Sequence, residues 1–155
     1  QGVLMTLLFF ANGETFATGA LPFKYGPATE TETTNRIVMP VEIQGIRTWA
    51  VVDTGAPYVI CAPKVAADAG IDPASALKKD RMLIRQMRLD GFVYRLNIRL
   101  VAKYGEDLNV DATVFVPEVE EFWGDFPSFI GLAGFLERIR FAIDPNNDTF
   151  YFGQV

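Results

Sequence analysis

The sequence predicts an all-β domain carrying one or two short helices. Three observations lead to that prediction. Short runs of alternating apolar and polar residues recur between turn dipeptides, which is the pattern of half-buried strands. No strand run is followed by a helix long enough for a βαβ crossover, so a doubly wound parallel sheet is not expected. The 155 residues are 50% hydrophobic and 13% aromatic, enough to fill one core, and no linker divides them.

Taken in order, the opening "VLMTLLFFA" (residues 3–11) is apolar, lacks a basic flank and is too short to cross a bilayer. It reads as a terminal strand that pairs with residues 15–17 across an Asn12-Gly13 turn. "GPATETETTN" (26–35) is polar and reads as a loop or arm, its carboxylates solvated rather than gathered on a metal. "RIVMPVEI" (36–43) alternates, with Ile37, Met39, Val41 and Ile43 on one face. Gln44-Gly45 turns the chain, and "IRTWAVV" (46–52) returns and ends at Asp53.

"APYVICA" (56–62) reads as a further strand, and "PKVAADAG" as a short helix with Pro63 in its first turn and Gly70 just past its end. Residues 71–80 connect. In "RMLIRQMRLDGFVYRLNIRLVA" (81–102) two alternating stretches flank Asp90-Gly91, a dipeptide of hairpin turns. A strand centred on 112–116 follows, then the loop "FWGDFPS" and a short strand ending in "FIG". "LAGFLERI" has the apolar spacing of a two-turn helix, and "RFAID" and "TFYFG" close the chain as a hairpin about "PNND".

Composition excludes much. The net charge is −5, so no basic surface for nucleic acid is expected, and Lys78, Lys79, Arg81, Arg85 and Arg88 read as a solvated face. There is no histidine, which rules out Ser-His-Asp and Cys-His catalysis and histidine-bound zinc. The single cysteine, Cys61, lies in an apolar strand pattern and reads as a buried structural thiol. One cysteine allows no internal disulfide, which suits a reducing, cytoplasmic setting. Trp49 and Trp123 read as core or cleft wall, with a side-chain pocket of Phe122, Trp123 and Phe126 as the alternative. Asp111 and Asp144 read as strand-edge and turn residues.

Asp53 stands out. A carboxylate placed after the apolar Trp49-Ala50-Val51-Val52 pays for desolvation unless neighbours donate hydrogen bonds to it. Thr54 offers a hydroxyl, Gly55 lets its N–H approach closely, and Ala56 leaves room. Such a carboxylate can act as a base. Two of them face to face share one proton, so one activates a water while the other hydrogen-bonds a carbonyl oxygen. That chemistry calls for no metal and no other cofactor.

"VVDTGAPYVI" resembles the active-site motif of the retropepsin-like aspartic proteases. "RIVMPVEIQGIRTWAVV" resembles the hairpin before that motif. "RMLIRQMRLDGFVYRL" falls where the family has its flap, and "FIGLAGFLERIRFAID" resembles the family's apolar-apolar-Gly segment and following helix. The resemblance runs from about residue 36 to residue 153 in the family's order. It implies a retropepsin-like closed β-barrel lobe over 36–155, preceded by a strand, hairpin and polar arm in 1–35. Asp53 would be catalytic, Thr54 would bond its symmetry mate's loop, and Gly55 would shape the loop. Ala56, the flap residues Ile84 and Arg85, and the segment Ile130-Gly131 would form the substrate site, with Ile130-Gly131 packing behind the catalytic loop. The flap, near 84–88, would close over an extended peptide.

Only one Asp-Thr-Gly is present, so the resemblance implies an aspartic endopeptidase that works as a homodimer, one Asp53 from each subunit. The chain ends, 5–10 and 149–152, either build an interfacial sheet or close the subunit's own barrel. The first thirty-five residues either cover the dimer edge or occupy the cleft. The alternatives are a non-catalytic peptide-binding or dimerisation module on the same fold, or a self-processing domain of a larger protein. Neither nucleic acid nor membrane is expected as a partner.

Overall fold

Alternation begins to organise the chain at β5 (Asn35–Ile43), in a computed structural model that describes residues 6–155. Met39, Val41 and Ile43 of β5 are buried on one face and Val38 on the other. Gln44 and Gly45 both take left-handed backbone angles, φ +48° and +83°, and so form the two-residue hairpin loop whose twist suits the flanking strands. The chain returns as β6 (Ile46–Val52), paired with β5 from Val38↔Val51 to Ile43↔Ile46.

Six strands then pair in a ring. Beside β6 runs β12 (Ser128–Ile130) in parallel, Ser128 opposite Ala50 and Ile130 opposite Val52. β12 meets β7 (Val59–Ile60), and β7 runs parallel to β11 (Leu108–Pro117). Antiparallel to β11 lies β9 (Met87–Leu100), with ten residue pairs between them. β9 comes back to β5 at Glu42↔Arg99 and Ile43↔Ile98. β4 (Lys24–Pro27) and β8 (Lys78–Ile84) extend the sheet at β5 and β9. The main core fills this ring, with Met39, Ile43, Ile98, Leu100, Val114, Ile130 and Phe135 among its members.

A second sheet has the order β10 (Tyr104–Gly105), β3 (Gly19–Pro22), β14 (Thr149–Gln154), β13 (Ile139–Asp144). β14 is paired on both sides within one chain, so residues 149–152 serve the chain's own sheet. At the other end, β1 (Leu8–Phe9) pairs with β2 (Thr15–Ala17), the hairpin expected about Asn12-Gly13. The first three residues of the apolar opening, 3–5, lie outside the described residues. Of the polar stretch 26–35, Gly26 and Pro27 lie in β4 and Asn35 in β5, two strands paired with one another, and 28–34 connect them as turns and irregular chain.

Three expectations change. The 56–62 run is strand only at Val59–Ile60, because residues 53–58 are taken up by a turn. The segment 132–139 is not a two-turn helix. It makes turns and a single 3-10 turn at Leu136–Arg138, with Gly134 at φ +81° interrupting helical geometry. The helix over 63–70 is present as α1 (Pro63–Asp68), with Gly70 at φ +67° past its end.

The third change moves the hairpin turn. Asp90 and Gly91 lie inside β9, and the chain reverses at Arg85-Gln86, φ +52° and +68°. With that register Ile84 pairs with Met87 and Met82 with Leu89, which lines their apolar side chains on one face. Asp90 sits opposite Arg81 and pairs with it, Nε to Oδ1 2.7 Å. Gly91 is there for room: a Cβ would run into the Val116 carbonyl and the Phe115 ring.

Candidate active site

Asp53 is the first residue beyond β6, where the strand meets the end of its parallel neighbour β12. Its backbone N–H donates to the Ile130 carbonyl at 2.9 Å. Its own carbonyl accepts from the Ala56 N–H at 3.0 Å, closing a tight turn, and the Ala56 carbonyl accepts from the Leu132 N–H at 2.9 Å. The Asp53-Thr54-Gly55-Ala56 loop is thus bonded at both ends to the segment around Ile130 and Gly131. The Gly55 N–H donates to Asp53 Oδ1 at 2.9 Å, which gives the carboxylate the donor it needs.

Gly131 has to be glycine, because a Cβ there would strike the Ala56 and Tyr58 carbonyls. Ile130 is fully buried in the main core. These two residues back the loop, and the cleft wall is made by others. A buried hydroxyl braces the same region: Ser128 Oγ accepts from the Ala62 N–H at 3.0 Å and lies 3.3 Å from Thr48 Oγ1.

The Asp53 carboxylate opens on a cleft of about 280 Å³. Gly55, Ala56 and Pro57 form one wall, and Leu83, Ile84 and Arg85 of the β8–β9 hairpin form another. Arg36, Ile60 and Phe129 complete it. The tip of this hairpin therefore borders the same cleft as the aspartate, at the place expected of a flap. Beneath it lies a second core of Val51, Ala56, Ile60, Met82, Ile84, Phe115, Trp123, Phe126 and Phe129. Phe126 and Phe129 stack at 5.2 Å, and Trp123 Nε1 donates to the Phe126 carbonyl at 2.7 Å. No residue before Arg36 lines the cleft among the described residues.

The family model described as "Aspartyl protease" matches residues 39–98, from the β5–β6 hairpin through Asp53 to the flap. A retropepsin-like aspartic protease from Rickettsia conorii matches in structure with TM-score 0.55 and 17% identity, covering 86% of this chain and 89% of that one. The retroviral protease-like domain of Ddi1 from Leishmania major matches with TM-score 0.50 and 17% identity, over 77% and 94%. The chain has a retropepsin-like fold. No curated protein matches it. The likeness to the two solved structures is one of fold.

On this retropepsin-like frame, Asp53, Gly55, Ala56, Ile84 and Arg85 come together at one cleft, as their order in the motif and flap led one to expect. Thr54 is exposed beside it, and its hydroxyl has no hydrogen-bond partner among the described residues. Sequence reasoning did not find Arg36, Pro57, Leu83 or Phe129. Leu83 had a signal, since it alternates outward from Met82 and Ile84 at the flap. Arg36 had none, because only the fold carries the start of β5 to the cleft.

The tryptophans divide. Trp123 is core, and with Phe126 it lies beneath the flap, while Phe122 is exposed, so these three do not form a common pocket. Trp49 is 41% exposed on the outer face of β6, with Lys24 Nζ 4.5 Å from its ring centroid. Cys61 is buried, and burial pushes its thiol up to about 12, which leaves it protonated and unreactive at neutral pH. No group of residues suited to a metal ion occurs among the described residues, and none of their helices is long and apolar enough to cross a membrane.

Proposed function

We propose that the chain is an aspartic endopeptidase acting on extended polypeptide as a homodimer, with one Asp53 from each subunit at the two-fold axis. The observation that carries this reading is the Asp53 carboxylate, held by the Gly55 N–H at the floor of a flap-covered cleft. Each chain brings a single such carboxylate. Two of them a few ångströms apart cannot both ionise, so the pair holds one proton. The ionised member takes a proton from a water lying between them, and that water attacks the peptide carbonyl. The protonated member hydrogen-bonds the carbonyl oxygen, and a proton then passes to the leaving nitrogen. The exposed Thr54 hydroxyl is free to bond the symmetry mate's loop, and the flap supplies strand-like hydrogen bonds to substrate.

The test is cleavage of a peptide library by the wild type and by Asp53→Asn, beside sedimentation to count subunits. Cleavage by a dimer that Asp53→Asn abolishes, with dimer and fold retained, is the expected result. A wild type that cleaves nothing between mildly acidic and neutral pH sinks the reading and leaves a binding module on the same fold.

A further inference from the structure

Two arginines line the Asp53 cleft, Arg36 from β5 and Arg85 from the flap turn, and Asp53 is the one carboxylate among the described lining residues. The two cations differ in what balances them. Arg36 Nε lies 3.0 Å from Glu32 Oε1, a local ion pair. Arg85 belongs to no ion pair among the described residues. Its guanidinium lies 3.9 Å from the centroid of the Phe126 ring, and its Nη1 donates to the Trp123 carbonyl at 3.3 Å. Phe126 is buried and stacked on Phe129, so the surface that holds Arg85 is itself fixed.

A guanidinium lying on an aromatic face is oriented in advance and keeps edge donors for a carboxylate in its own plane. Trp123 engages one nitrogen, by a long bond. The rest of the fork has no acceptor among the described side chains, although the chain carries five more acidic than basic residues.

We propose that Arg85 selects for an acidic side chain, Glu or Asp, on the bound peptide next to the scissile bond, held by charge-assisted hydrogen bonds to its guanidinium edge. Arg36, its charge balanced by Glu32, contributes little to this selection. The inference rests on the reading of the Asp53 cleft as a peptide site. In the two-fold assembly proposed above, each flap brings one Arg85, so the preference falls on both sides of the cut.

The experiment uses matched decapeptide pools that differ only in Glu against Gln, or Lys against Gln, at one position. Cleavage and calorimetric binding are measured for the wild type, Arg85→Gln and Arg85→Glu. The wild type is expected to favour Glu over Gln by about tenfold at one or more positions beside the cut, mostly through KM. Arg85→Gln loses the preference, and Arg85→Glu turns it toward Lys. Equal treatment of Glu and Gln by the wild type at each position overturns the inference without recourse to any variant. So does a Glu preference that survives in Arg85→Glu. If the wild type binds the Glu pools preferentially but cleaves none, the selection stands and the proteolytic reading falls.

Discussion

The Gly55 backbone N–H donates to Asp53 Oδ1 at 2.9 Å, while the Asp53 backbone is bonded to Ile130 and Ala56. The carboxylate is thereby held from its own loop, and the loop from the strand behind it. An asparagine keeps an oxygen for the Gly55 N–H, and an alanine does not. Asp53→Asn is expected to unfold within about 0.5 kcal/mol of the wild type, the usual range for a substitution that spares local bonding. Asp53→Ala should lose about 1 kcal/mol, the net worth of one hydrogen bond. Urea unfolding of both variants checks this, and equal stabilities would show that the Gly55 bond contributes nothing to the fold.

The flap turn makes a second prediction. Gln86 holds φ +68°, a conformation that costs an L-residue about 1 kcal/mol and costs glycine little. Part of the gain on removing the strain is offset by the freer unfolded chain. Gln86→Gly is therefore expected to raise stability by about 0.5 kcal/mol. Gly91→Ala should lower it by about 1–3 kcal/mol, since the new methyl meets the Val116 carbonyl and the Phe115 ring in the middle of the sheet. Urea midpoints of the two variants should move in opposite directions. A turn at Asp90-Gly91 would instead lower both midpoints, since Gln86→Gly would then loosen a strand and Gly91→Ala would strain a left-handed turn residue.

A third prediction concerns acid. Asp107 Oδ1 accepts from the Ala102 backbone N–H at 2.8 Å, and Oδ2 bonds Arg99, which also pairs with Glu42 across the β5–β9 junction at 3.7 Å. The Ala102 hydrogen bond first, then Arg99, hold the Asp107 carboxyl below its ordinary value. A group whose pKa is lowered by folding adds stability above its unfolded pKa, about 3.9 for aspartate, and loses it as pH falls through the folded value. The stability gap between wild type and Asp107→Asn should be full at pH 6 and should shrink below about pH 4. Urea midpoints of the pair from pH 6 to acid measure it, and a gap that stays constant with pH would refute the assignment.

Much of this was legible locally. The alternation of residues 36–43 and 46–52 comes from one buried face per strand, and the Asp-Thr-Gly motif between apolar flanks marked the site before any contact was known. Periodicity likewise announced the closing hairpin and α1. What it misjudged were positions where a residue serves a distant neighbour. Gly91 looks like a turn glycine, yet it exists so that Phe115 can pack against β9. Residues 132–139 have helical spacing, but Gly131 and Gly134 bend the chain onto the Asp53 loop and the Thr113 side chain.

The sequence by itself determined the strand content, the lone Asp-Thr-Gly motif, the absence of histidine and the presence of a hairpin in 78–100. These depend on side-chain type and on spacing over a few residues. The tertiary structure decided which way the strands pair, where the 78–100 hairpin turns and that Arg36 lines the cleft of Asp53. Those facts arise from contacts between residues tens of positions apart, whose burial is settled only when the sheets close around a shared core.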